Sequence, residues 1–82
     1  MILEEENMCV KVAADFYSKL KDELKNQKEV LIDFSNVKRV DLSIVQVILA
    51  AGRMGRKEGK IIKLKSVSPQ VKEQMQLCGL KT

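Results

Sequence analysis

The chain has 82 residues, 45% of them apolar and 32% charged, with a net charge of +4 and no histidine. That length suits one domain over residues 1–82 with a modest core, and the composition excludes a disordered chain. The missing histidine removes the commonest general base and the commonest zinc ligand, and two cysteines, Cys9 and Cys78, make a poor metal site. No metal or cofactor is expected.

The longest apolar run, Ile44 to Ala51, is broken by Gln46 and falls far short of the roughly 18 residues that a membrane span needs. No membrane insertion is expected. The opening "MILEEEN" is acidic where a secretory signal would be basic, which points to the cytoplasm. In that compartment Cys9 and Cys78 are reduced, small, core-forming residues.

"MCVKV", residues 8–12, alternates and reads as a short first strand, with Ile2 and Leu3 as a preceding piece. From Ala13 the period changes. Ala13, Phe16, Tyr17, Leu20 and Leu24 fall on one helical stripe, while Asp15, Lys19, Asp22 and Lys25 fall off it. This helix has no Ser or Thr at its start, and "KNQK" ends it.

"EVLIDF", residues 29–34, is a nearly continuous apolar run, the pattern of a strand covered on both faces. "SNVKR" then connects to a helix over about Leu42 to Lys57, which Gly59 stops. "KIIKLKS" reads as an edge strand. "SPQVKEQMQLCGL" holds a full helix grammar. Ser68 caps, Pro69 takes the first turn, and Gly79 with Leu80 closes a Schellman end. Val71, Met75 and Cys78 form its inward stripe, with Leu77 beside them. The order β-α-β-α-β-α predicts an α/β fold, a small parallel or mixed sheet with helices packed on it.

The polar residues at the carboxyl end of strand 29–34 and beyond it, Asp33, Ser35, Asp41 and Ser43, occupy the usual site position of such sheets. A serine nucleophile needs a base, however, and nothing places a lysine beside Ser43. No enzyme is expected. "GRMGRKEG" puts three glycines in a row, yet at the end of a helix rather than between strand and helix, so it is not a dinucleotide loop. Arg53, Arg56, Lys57, Lys60, Lys63 and Lys65 concentrate positive charge over 53–65. With only three aromatics in the chain, nucleic-acid binding is not expected, and a solvated surface is the preferred reading. A regulator that binds nucleotide or anionic lipid through this stretch is the alternative.

"DLSIVQ" carries two capping readings. Ser43 and Gln46 have capping-box spacing, and Asp41 can cap in place of Ser43. A hydroxyl at a helix N-terminus can also accept a phosphate.

The stretch from "EVLIDFSNVKRVDLSIVQVILAAG" to "LCGL", residues 29–80, resembles a STAS domain, the fold of bacterial anti-sigma factor antagonists and of the cytoplasmic tails of sulphate transporters. The matching marks are a strand ending Asp-Phe-Ser, an Asp-x-Ser helix start, an apolar helix closing in Gly, a strand, and a last Ser-Pro helix ending Cys-Gly-Leu. The short N-terminus is similar to the compact branch that includes subunits of lipid-trafficking transporters and small chemotaxis-associated proteins.

The resemblance implies a non-enzymatic, bacterial signal-transduction module that binds a protein partner. That partner is an anti-sigma factor or serine kinase acting in transcription regulation, a transporter subunit, or a chemotaxis protein. Phosphorylation directly after the motif's Asp releases it. Here that place holds Leu42, Ser43 stands one position later, and Ile44 stands where the family often has Gly. Ser43 is therefore the alternative acceptor. The expected docking surface comprises Asn36, Lys38, Arg39, Asp41, Leu42, Ser43 and Gln46, with apolar contact from Ile44 and Val47. An edge strand leaves a homodimer open.

Overall fold

The computed structural model describes residues 1–80. Its elements in order are β1 (Asn7–Met8), α1 (Val10–Asn26), β2 (Glu29–Asp33), β3 (Arg39–Val40), α2 (Leu42–Lys57), β4 (Ile61–Lys65) and α3 (Pro69–Leu77). All strand pairing is parallel, in the α/β class that the pattern predicts. β2 pairs with β4 from Glu29 opposite Ile61 to Asp33 opposite Lys65. β1 pairs with β3, Asn7 opposite Arg39 and Met8 opposite Val40. Residues 1–3 run along the other side of β2: the Asp33 N–H donates to the Met1 carbonyl at 2.8 Å, and the Leu3 N–H to the Asp33 carbonyl at 3.1 Å.

The sheet is covered on one face, not two. Val30 and Ile32 of β2 are buried, as are Leu3 and Phe34, while Glu29 and Leu31 are exposed. On β4 the same alternation leaves Ile62 and Leu64 half-buried and Ile61, Lys63 and Lys65 outside. The apolar run of β2 hid this alternation, because Leu31 is apolar and yet solvent-facing. On the outer face the Lys63 ammonium pairs with the Glu29 carboxylate at 3.2 Å.

Between sheet and helices lies one core. Phe16, Leu20 and Leu24 enter it from α1, Ile44, Val45, Ile48 and Ala51 from α2, and Val71 and Met75 from α3. Each large aliphatic side chain removed from water here stabilises the fold by about 2 kcal/mol. Gly55 is buried where α2 meets α1. A Cβ there would stand 3.4 Å from the Lys60 carbonyl oxygen and 3.7 Å from a Leu24 methyl.

The helix ends follow their sequence signals at three places. Ser68 caps α3, its hydroxyl accepting from the Val71 N–H at 3.2 Å, with Pro69 in the first turn. Gly79, at φ +95°, then lets the Leu80 N–H reach the Met75 carbonyl at 2.9 Å, the six-to-one bond of a Schellman end. Gly59, at φ +74°, closes α2 the same way, with the Lys60 N–H on the Gly55 carbonyl at 2.7 Å. Leu77 proves to be outside, 82% exposed.

The first strand and first helix differ from expectation. The strand is only Asn7–Met8, and α1 begins at Val10, so Val10–Val12 are helical. The N-cap of α1, Cys9, makes no side-chain cap bond. The missing local cap comes instead from Asp41, 31 residues away, whose carboxylate accepts the Val10 N–H at 3.0 Å. The link "SNVKR" also leads, at Arg39, into the unpredicted β3, a two-residue strand that exists only because β1 lies beside it. Cys9 and Cys78 are both free and half-buried, less enclosed than core residues.

Candidate partner-binding site at the start of the second helix

The polypeptide makes a tight Asx turn where β2 ends. The Ser35 N–H donates to Asp33 Oδ1 at 2.8 Å. That bond, helped by the Ser35 hydroxyl, holds the Asp33 carboxyl below its usual range. The chain then dips through buried Val37 to β3. Here the Val40 N–H donates to Gln74 Oε1 at 2.9 Å, which ties the approach to α2 onto α3.

Asp41 is the N-cap of α2. Its Oδ1 accepts from the Ser43 N–H at 3.0 Å and the Ile44 N–H at 3.4 Å, and also from the Ser43 hydroxyl. Its Oδ2 accepts the Val10 N–H. One carboxylate therefore accepts N–H groups from the first turns of two helices, one from α1 and two from α2, groups that have no partner inside their own helix. These bonds, the Ser43 hydroxyl foremost, hold the Asp41 carboxyl below its usual value, as does its place at two positive helix ends.

The capping box does not form. Ser43 lies one place inside the helix, so its hydroxyl turns back to Asp41 instead of capping. Gln46 is left exposed. Asp41 wins because its carboxylate, two positions before Ser43, also accepts the Val10 N–H of α1. Ile44 is completely buried and offers no docking surface, and Val47 is half-buried. Ile44 faces inward because it falls on the side of α2 that carries Val45, Ile48 and Ala51 into the core, whereas Leu42 falls outside it.

A family model described as Mlab, STAS domain matches residues 6–82. The chain belongs to the STAS domain family. Comparison with curated proteins finds no match. STAS domains are in general binding modules without catalytic activity, which mediate protein–protein contacts.

In this STAS domain the structure brings together Arg39, Asp41, Leu42 and Ser43 as consecutive or nearly consecutive residues around the α2 start, with Gln46 one turn on. Leu42 is 51% exposed in the first turn. Asn36 is more remote: its amide donates to the Leu3 carbonyl at 3.4 Å. Lys38 pairs with Glu6 at 3.6 Å, a solvent-exposed contact of little energy. The structure adds one residue that the sequence does not single out. Val10, 68% exposed, heads α1 and is bound through its backbone to Asp41, immediately before Leu42. No local pattern announces Val10. The only signal was negative, a helix without a cap of its own.

The basic stretch divides. The Lys60 ammonium is spent on the Leu24 carbonyl and lies 3.6 Å from Glu58, and Lys63 pairs with Glu29. Arg53 and Arg56 are exposed on α2 without ion-pair partners among the described residues. Among the described residues no cluster of three or more His, Cys, Asp or Glu could hold a metal, and no helix is long and apolar enough to cross a membrane.

Proposed function

We propose that this STAS domain is a docking module whose regulatory protein partner seats on the start of α2. The observation that carries the reading is the exposure of Leu42 and Val10 above a rigid, doubly capped junction. Two aliphatic side chains exposed to water at helix starts that share one cap offer apolar contact to a partner, and Arg39 and Gln46, close by in the chain to Leu42, are exposed as well. Apolar centres ringed by polar groups are the usual form of interface hot spots.

The resemblance to the family implies a phosphoacceptor directly after the motif's Asp, the position that Leu42 occupies here. Leucine has no hydroxyl, so the partner is held without that switch. The neighbouring Ser43 hydroxyl points at Asp41 and is half-buried. A phosphate there would stand against a carboxylate, which opposes its use as a simple substitute. The partner class we favour is an anti-sigma factor or serine kinase. A transporter subunit or a chemotaxis protein is the alternative, and the site serves each in the same way.

The test is co-purification of the tagged chain with candidate partners encoded beside its gene, comparing wild type, Leu42→Glu and Val10→Glu. Both variants should lose the partner while keeping the wild-type urea midpoint. Unchanged recovery with both variants overturns the surface assignment.

A further inference from the structure

At the opposite end of α2 lies an open cleft of about 600 Å³ between that helix and β4. Its walls have polarity. α2 and β4 run in opposite directions through the tight Gly59 turn, so Arg53, Arg56 and Lys60 line the cleft near the start of β4. Ile48, Leu49, Leu64 and Leu80 line it toward the end. The cleft is thus cationic at one end and aliphatic at the other.

Its floor includes a strand edge without a neighbour. The Ile61 N–H donates to the Lys28 carbonyl, and the Lys65 carbonyl accepts from the Phe34 N–H, both at 2.9 Å. In a parallel ladder a residue turns both backbone groups to the same side. Ile61, Lys63 and Lys65 therefore face β2, and Ile62 and Leu64 turn their N–H and C=O groups to the open edge. No strand among the described residues pairs there.

We propose that this cleft binds an extended acidic segment of a partner protein, which adds to β4 as a further strand. Its inward side chains place carboxylates on Arg53 and Arg56 and aliphatic groups against Ile48, Leu49, Leu64 and Leu80. Backbone bonds to Ile62 and Leu64 supply the pairing. The inference does not rest on the docking surface at Leu42, about 20 Å away along the helix at 1.5 Å per residue.

Other occupants fit less well. A lipid chain would lie over the Ile62 and Leu64 backbone groups and leave them dry and unpaired, which is costly. A nucleotide base would find no aromatic side chain in the lining. A second copy paired edge to edge across a two-fold axis would set Lys63 and Lys65 against their own kind.

The experiment uses the whole chain and two fluorescein-labelled peptides, Thr-Glu-Thr-Glu-Thr-Val-Thr-Leu and its reverse, which together cover both strand directions. One of them should bind, more weakly as salt rises. Arg53→Glu combined with Arg56→Glu should weaken it at least tenfold, and N-methylation of alternate peptide amides should do the same. Leu42→Glu should leave it unchanged.

The proposal is overturned if neither peptide binds, or if binding ignores N-methylation. It is equally overturned if oleate or phosphatidylglycerol vesicles bind in an arginine-dependent way while the peptides do not. Self-association in sedimentation that the arginine substitutions abolish would assign the cleft to a second copy and also overturn it.

Discussion

The Asp41 carboxylate joins two helices at once: Oδ2 accepts the Val10 N–H at 3.0 Å and Oδ1 the Ser43 N–H at 3.0 Å. A single N-cap is worth about 1 kcal/mol, and losing a cap shared by two helices removes about 2 kcal/mol. Asp41→Ala should lower stability by that amount in urea unfolding. Asp41→Asn, which keeps one acceptor oxygen, should cost about half as much. An effect within 0.5 kcal/mol for Asp41→Ala, roughly the size of an ordinary surface substitution, would show that the shared cap does not hold the junction.

The same residue sets an acid limb. The folded carboxyl of Asp41 is held below its usual value, chiefly by the Ser43 hydroxyl. A depressed folded pKa means that the unfolded chain binds the proton more tightly. The stabilisation is then fully present above the unfolded value near about 4 and is lost as pH falls through the folded one. Asp33, lowered by the Ser35 N–H, contributes in the same window. Unfolding free energy followed from pH 7 downwards should fall less steeply in Asp41→Asn than in wild type, and least in the double variant with Asp33→Asn.

Ser43 tests the electrostatics of the junction. Its hydroxyl donates to Asp41, so Ser43→Ala removes one hydrogen bond and should cost about 1 kcal/mol. Ser43→Asp instead sets a second carboxylate against the first. It should cost more, about 2 kcal/mol at low salt, and recover part of that as salt rises. Equal midpoints for the two variants would show that the pair is fully screened.

Gly59 sits at φ +74° with open space where a Cβ would stand. Substitution there costs backbone strain alone. Gly59→Ala should destabilise by about 1 kcal/mol and Gly59→Asn by less, because asparagine tolerates the left-handed region better. Chemical denaturation distinguishes them.

The one-sided sheet separates two neighbouring positions on β2. Ile32 is fully buried, and Ile32→Ala should cost about 3 kcal/mol, a large part of the stability of so small a domain. Leu31, on the outer face, should accept threonine at a cost within about 1 kcal/mol. A strand covered on both faces would lose comparably at both sites.

Local grammar determined a good deal of this protein. The Ser68-Pro69 start and Gly79-Leu80 end of α3, the Gly59 stop of α2 and the inward stripe of α1 are all short-range effects. Caps, left-handed glycines and a 3.6-residue period act within a few residues of the chain. The order of elements followed from them, and the Asp-Phe-Ser, Asp-x-Ser and Cys-Gly-Leu marks carried the resemblance to the family that the chain belongs to.

Only the tertiary structure decided the rest, because the deciding contacts join distant residues. The apolar Leu31 and the apolar Ile32 look alike in sequence, and which one is buried depends on where the helices lie. Whether Asp41 or Ser43 caps α2 depends on Val10, an otherwise bare helix start brought alongside by the β1–β3 pairing. Ile44 turned inward for the same reason that Leu42 turned out: the roll of α2 on the sheet, set by the core it fills.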